Sequence, residues 1–200
     1  MNGLINCFQG SGLYFPLGFE HILDPNGYDH ILFVVALCAT FELKLWRKVL
    51  ILVTAFTIGH SVTLALSALD ILSIDSALIE TLIPITILIT AVHNLFQSSS
   101  DKEQKLSVNY VLALGFGFIH GMGFSNYLKM LLGESTCIPG PLLMFNLGIE
   151  VGQVFIVLAT MLIGWVVISR LGVALRWWNY VLSSLIALAA IGLILERVMG

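Results

Sequence analysis

Residues 49–69 read "VLILVTAFTIGHSVTLALSAL", a stretch of 21 residues without a formal charge. A membrane-spanning α-helix needs about 20 mostly apolar residues, so this stretch predicts one crossing of a bilayer. Of the whole chain 58% is hydrophobic and 10% is charged, whereas soluble domains contain about 25% charged residues. The other predicted spans occupy residues 26–43, 81–100, 106–128, 141–165 and 177–196. The sequence therefore predicts an all-α polytopic membrane protein with about six transmembrane helices, in one domain over residues 1–200.

The first of these spans has an unusual start. Its charge-free run, Ile31 to Phe41, has only 11 residues, which is about half of what a bilayer requires. A helix that crosses here has to begin near Pro25 or Asn26, and it then carries Asp29 into the membrane. The preceding "GSGLYFPLGF", residues 10–19, is apolar but too short to span. It is expected to form an interfacial or re-entrant segment that covers a site.

Basic residues predict the orientation of the spans. One set of loops carries seven of them, Lys44, Arg47, Lys48, Lys102, Lys105, Arg170 and Arg176. The other set carries only Lys129 and Arg197. Because cytoplasmic loops are enriched in Lys and Arg, both termini are expected to face outward, with the chain in a bacterial inner membrane. Cys7 and Cys137 then lie on the same outer side, where a disulfide could form between them.

Ionisable and polar residues recur inside the predicted spans. Glu150 is the only formal charge between Glu134 and Arg170. Such a group in a membrane helix costs several kcal/mol unless it is paired, and it usually marks a functional site. Asn146 and Gln153 lie on the same helix face as Glu150 because they are spaced i, i+4 and i+7.

The chain contains five histidines, and none lies in an ordinary solvated loop. His21 and His30 flank the entry to the first span, and His60 lies in the middle of the second. His120 lies in the fourth span, whereas His93 lies near the inner end of the third. The alternating direction of the spans places most of these groups between the middle of the membrane and its outer face.

Neutral imidazole with carboxylate is a ligand set that suits Ni²⁺, Co²⁺, Zn²⁺ and Fe²⁺. The predicted metal ligands are His21, Asp29, His30, His60, His120 and Glu150. Residues expected along a path or around the ligands are Asp24, Thr57, Ser61, His93, Asn94, Asn146 and Gln153. A purely structural network of interhelical hydrogen bonds is the alternative explanation for the same residues.

Four motifs resemble the HupE/UreJ family of bacterial membrane proteins, in the same order and over most of the chain. They are "HILDPNGYDHILF" (21–33), "TAFTIGHSVTLAL" (54–66), "FGFIHGMGFS" (116–125) and "FNLGIEVGQ" (145–153). The resemblance implies six to seven spans and a link to nickel supply for hydrogenase and urease. A more distant similarity is to nickel/cobalt permeases, which carry a His-x4-Asp-His signature and a Gly-His-Ser. Asp29-His30 and Gly59-His60-Ser61 match these pieces, but His21 stands farther upstream than the first His of that signature.

Two functions follow from the predicted cluster. The leading hypothesis is a permease for Ni²⁺ or Co²⁺, in which His93 and Asn94 form the next station toward the cytoplasm. The runner-up is an intramembrane metal-dependent hydrolase of the zinc type, with an activated water in an open coordination position. In that reading Glu150 is the base, and Ser61, Ser125 or Asn146 contacts the substrate. A structural subunit of a larger complex is a third reading.

The expected partners are the lipid bilayer and the metal ion, and the sequence is compatible with a homo-oligomer. No basic stripe suggests nucleic acid. The phosphate-binding pattern GxxxxGK[ST] does not occur, so transport would draw on a gradient or on trapping inside the cell.

Overall fold

The computed structural model of the chain describes residues 7, 10–72, 74–97, 104–132 and 137–199, with the side chains of 104–106 left out. Within these ranges the chain is helical and has no β-strand. The helices are α1 (Tyr14–Leu23), α2 (Asp29–Cys38), α3 (Trp46–Ala68), α4 (Ser76–Phe96), α5 (Gln104–Leu132), α6 (Pro139–Trp165) and α7 (Leu175–Met199). A π-helical turn, Val166–Arg170, extends α6. The predicted all-α polytopic membrane fold is confirmed.

Five helices, α3 to α7, are long and apolar enough to cross a membrane. They correspond to the five predicted spans other than the first, with boundaries shifted by at most five residues. Residues 98–100 of the predicted third span and Lys102 lie outside the described residues. Several polar residues within these helices, such as Thr57, Asn94 and Gln153, are buried, while large apolar side chains such as Phe155 and Leu188 face outward.

The predicted first span, a single helix over 26–43, is wrong. The structure has two ten-residue helices, α1 and α2, separated by the loop 24–28. Each is about 15 Å long, or half the hydrocarbon thickness. Asp24 ends α1 with an extended backbone (ψ 117°), because the residue before a proline is disfavoured in the α conformation. Its Oδ1 accepts a hydrogen bond of 2.8 Å from the backbone N–H of Asn26, which closes a local turn.

The two short helices together make one crossing of the bundle. Phe15 lies against Gly148, and Ile22 lies against Gly152, so α1 runs in the same direction as α6. At the far end of α2, Nδ2 of Asn94 donates a hydrogen bond of 2.7 Å to the carbonyl oxygen of Ala36. The segment predicted as interfacial or re-entrant therefore lies within α1 and the turn before it, packed along α6.

Glycines bring the helix backbones close together. A Cβ at Gly117 would overlap the carbonyl oxygen of Phe56, and one at Gly121 would overlap the carbonyl oxygen of His60. Gly148 makes the same kind of contact between α6 and α1, with the carbonyl oxygen of Phe15, whereas a Cβ at Gly152 would overlap the side chain of Ile22. Small residues four apart permit this close approach in membranes. The two contacts fix the helix turns that carry the histidines.

A disulfide joins Cys7 to Cys137, whose Cα atoms are 5.4 Å apart. It ties the segment before α1 to the connection between α5 and α6. Four crossings separate the two cysteines along the chain, which returns them to the same end of the bundle. We call that end the disulfide side, and the opposite end, where α3 and α5 begin, the basic side. Cys38 is a free, buried thiol.

Candidate metal centre

Three imidazoles converge near the loop between α1 and α2. His21 lies at the end of α1, His30 in the first turn of α2 and His60 in the middle of α3. Each offers one ring nitrogen, and these nitrogens lie within 4.8 Å of one another. Two nitrogens at about 2.0–2.1 Å from one ion are at most about 4.2 Å apart, so a small inward movement of the rings would let all three bind one ion. We call His21, His30 and His60 the three-histidine group.

The ring of His30 is oriented by a carboxylate. Oδ1 of Asp29 lies 2.8 Å from its Nδ1 and also accepts a hydrogen bond of 2.7 Å from its backbone N–H. This leaves Nε2, which is buried and has no protein partner. A ligating histidine commonly donates its other N–H to a carboxylate in this way. Asp29 is thus placed as an orienting residue behind His30.

His120 adjoins the three-histidine group from α5. Its ring centroid lies 5.0 Å from that of His30. Its Nδ1 lies 2.9 Å from the carbonyl oxygen of Phe116, and its Nε2 is buried and unpartnered. The backbone carbonyl therefore selects the tautomer in which Nε2 carries a free lone pair. A fourth imidazole nitrogen is available next to the group.

Buried polar atoms without a partner are rare in folded proteins. Within the described ranges they are concentrated here: Nε2 of His21, His30 and His120, and both ring nitrogens of His60. His60 and His120 are fully buried. Binding of a cation with a preference for imidazole would satisfy several of these atoms at once. The donor set fits a divalent transition metal.

Three phenylalanines form a layer next to the histidines. In α2, Phe33 follows the histidine by three residues, and in α3 and α5, Phe56 and Phe116 precede theirs by four. Each phenylalanine is thus one turn closer to the basic side than the histidine of its own helix. The ring centroid of Phe33 lies 5.0 Å from that of Phe56 and 5.7 Å from that of Phe116. All three are buried, and we call Phe33, Phe56 and Phe116, which lie one turn from the histidines toward the basic side, the phenylalanine layer.

A cavity of about 650 Å³ reaches His21 from the other direction. We call it the vestibule; its lining is Leu17, Phe19, Glu20, His21, Leu23, Asp24, Pro25, Phe124 and Tyr127. His21 belongs both to this lining and to the three-histidine group. The ring of Phe124 lies 3.9 Å from the ring of His21, between centroids. An ion held by His21 would therefore face the vestibule.

Glu150 lies outside the group of converging ligand atoms. Its Oε1 accepts a hydrogen bond of 2.6 Å from the Thr54 hydroxyl, between α6 and α3. One turn farther along α3 and α6, the Thr57 hydroxyl donates a hydrogen bond of 2.7 Å to Oε1 of Gln153. The structure thus places Glu150 and Gln153 in a polar contact of α3 with α6.

The other expected path residues are dispersed. Asn94 of α4 links three helices. Its side-chain amide donates a hydrogen bond to the carbonyl oxygen of Ala36 in α2, and its backbone carbonyl oxygen accepts a hydrogen bond of 2.7 Å from the side-chain amide of Asn179 in α7. His93, beside it on α4, has a buried Nε2 without a partner but does not join the three-histidine group. Ser61 and Asn146 donate to backbone carbonyls of their own helices. Asp24 lines the vestibule.

A family model described as HupE / UreJ protein matches residues 6–197. The chain belongs to the HupE/UreJ family. The resemblance of the four motifs is thereby confirmed over nearly the whole chain. No curated protein and no solved structure gives a significant match.

Sequence reasoning missed the phenylalanine layer and the acidic residue Glu20 of the vestibule. The layer has a signal in the sequence of this HupE/UreJ protein. Phe33, Phe56 and Phe116 each stand three or four residues from a histidine, on the side that the span direction makes inner. Glu20 has no comparable signal, because only the parallel packing of α1 on α6 shows that its segment lines a cavity.

Proposed function

We propose that this HupE/UreJ protein is a permease for a divalent transition-metal ion, nickel or cobalt, which binds at His21, His30 and His60. The observation that carries the proposal is the convergence of three ring nitrogens within 4.8 Å. In the described part of the chain, this is also where buried nitrogens without protein partners concentrate. A transition-metal ion is the substrate that such a ligand set recognises.

The ligand chemistry supports a borderline ion such as Ni²⁺ or Co²⁺. The group consists of imidazoles, whereas Ca²⁺ and Mg²⁺ prefer oxygen ligands. The free thiol of Cys38 is not part of the group. The association of the HupE/UreJ family with nickel and cobalt points to the same two ions.

The surroundings of the group support transport. The vestibule adjoins the histidines on one side, and the phenylalanine layer lies between them and the basic side. A site reached from one side and closed on the other is what alternating access requires. In many transporters, substrate sites lie near the middle of the bilayer, where a membrane helix is interrupted. The loop 24–28 is such an interruption beside the three-histidine group. With the basic side in the cytoplasm, the direction would be inward.

A hydrolase is a second candidate that one observation favours. His21 lines a cavity large enough for an organic substrate, and three imidazoles leave a coordination position open for water. However, Glu150 is hydrogen-bonded to Thr54 and does not belong to the group. A base in that reading would have to come from another residue, such as Glu20 of the vestibule.

Uptake by sealed proteoliposomes tests the permease proposal. Wild-type protein should accumulate ⁶³Ni or ⁵⁷Co, and His60→Ala should lose at least about nine-tenths of both uptake and metal binding. His93→Ala is the matched control for binding, since it removes an imidazole outside the group. Folded His60→Ala protein with wild-type uptake would overturn the proposal. Metal binding at the group without any uptake by wild-type vesicles would overturn transport and favour the hydrolase.

A further inference from the structure

The vestibule is much larger than a hydrated metal ion. A water molecule occupies about 30 Å³ of liquid, so six waters around an ion fill roughly 180 Å³. The vestibule measures about 650 Å³, within the range of about 300–1,000 Å³ that is usual for sites of small organic molecules. Capture of a bare hydrated ion does not account for this volume.

The walls of the vestibule are mostly apolar and aromatic. Phe19, Phe124 and Tyr127 contribute rings, and Leu17, Leu23 and Pro25 contribute aliphatic surface. A hydrated ion gains nothing from such surfaces, because it would lose hydrogen bonds to water there. A planar or partly apolar organic molecule would pack against them. The lining therefore matches an amphipathic occupant.

The charges of the vestibule select a cation. Glu20 and Asp24 line it, while its described lining includes no lysine or arginine. Glu20 makes no hydrogen bond or ion pair to another described residue. Two carboxylates match the charge of a divalent ion that carries a neutral organic ligand.

Resting on the metal site of the proposed function, we infer that the vestibule receives the divalent ion as a complex with a small neutral organic chelator. His21 is the connection, because its ring belongs to both the vestibule and the three-histidine group. Imidazole nitrogens would replace water ligands of the complex one for one, while the chelator remains against the rings of the vestibule.

The test uses purified protein in detergent with three probes: Ni²⁺ alone, 2,2′-bipyridine alone and the 1:1 Ni²⁺–bipyridine complex. Wild-type protein should bind the complex at least about tenfold more tightly than Ni²⁺, with both components retained after size-exclusion chromatography. Leu17→Trp, which fills the vestibule, should remove this gain and leave Ni²⁺ affinity within about twofold. Leu188→Trp, on the outward surface of α7, is the matched control.

A second variant guards against misfolding of Leu17→Trp. Glu20 is exposed, so Glu20→Gln should fold normally and weaken binding of the complex more than binding of Ni²⁺. Equal affinity for the two nickel forms, removal of nickel from the protein by bipyridine, or a gain that survives both substitutions would overturn the inference. Absence of Ni²⁺ binding by wild-type protein is a separate result, which overturns the proposed function and the inference with it.

Discussion

Oδ1 of Asp29 lies 2.8 Å from Nδ1 of His30, which points the free Nε2 of that ring into the protein interior. Loss of such an orienting partner typically reduces metal affinity by about 10–100-fold. Asp29→Asn should reduce Ni²⁺ affinity by that factor, as measured by isothermal titration calorimetry. Glu42→Gln, which removes a carboxylate from the Glu42–Lys44 ion pair, should leave it unchanged. Equal affinities of Asp29→Asn and wild-type protein would contradict the role assigned to Asp29.

The contact of α5 with α3 should be sensitive to a single methyl group. A Cβ at Gly121 would overlap the backbone of His60, whereas one at Gly115 meets nothing within 4 Å. Gly121→Ala should therefore destabilise the protein by about 1–3 kcal/mol and weaken metal binding. Gly115→Ala should be neutral or slightly stabilising, because alanine favours helix. Thermal unfolding monitored by circular dichroism compares the two, and equal melting temperatures would contradict the packing argument.

Opening the phenylalanine layer should allow metal to pass toward the basic side. Phe116→Ala removes a ring that separates the histidines from that side, so passive efflux of ⁵⁷Co from loaded proteoliposomes should rise severalfold. Phe155→Ala removes a ring from the outward surface of α6 and serves as the control. If folded Phe116→Ala protein shows wild-type efflux, the layer is not the barrier.

Glu150 should matter for movement of the ion more than for its binding. Its carboxylate is bonded to Thr54 and lies outside the three-histidine group. Glu150→Gln should keep Ni²⁺ affinity within about threefold and lower uptake by at least about tenfold. Parallel calorimetry and ⁶³Ni uptake measure the two quantities. A large loss of affinity would instead place Glu150 among the ligands.

The disulfide provides a test of orientation. Because basic residues predict that the disulfide side faces outward, Cys7 and Cys137 should react with a membrane-impermeant maleimide in intact cells after reduction. Cys38 is buried and should stay unlabelled, which makes a Cys7→Ser/Cys137→Ser variant the background control. Labelling that requires disruption of the cells would reverse the predicted orientation.

Much of the fold could be predicted from local properties of the sequence. Residues 49–69 predict a membrane helix because length and apolar character alone decide whether a segment can cross a bilayer. The first crossing was predicted less well. The sequence predicts a helix that begins near Pro25 or Asn26, but both residues lie in the loop 24–28 between α1 and α2, since irregular backbone is tolerated in a membrane protein where protein or a cavity surrounds it.

The sequence by itself determined the membrane class, the family and the supply of imidazoles. Only the tertiary structure decided that the rings of His21, His30 and His60 lie close together, with His120 beside them. It also decided that Glu150 accepts a hydrogen bond from Thr54 outside this group. Helical periodicity sets the face on which a residue lies, but not which face of another helix it meets. The close backbone contacts at Gly117, Gly121 and Gly148 determine which helix faces pack together, because backbone approach fixes the register and distance of neighbouring helices.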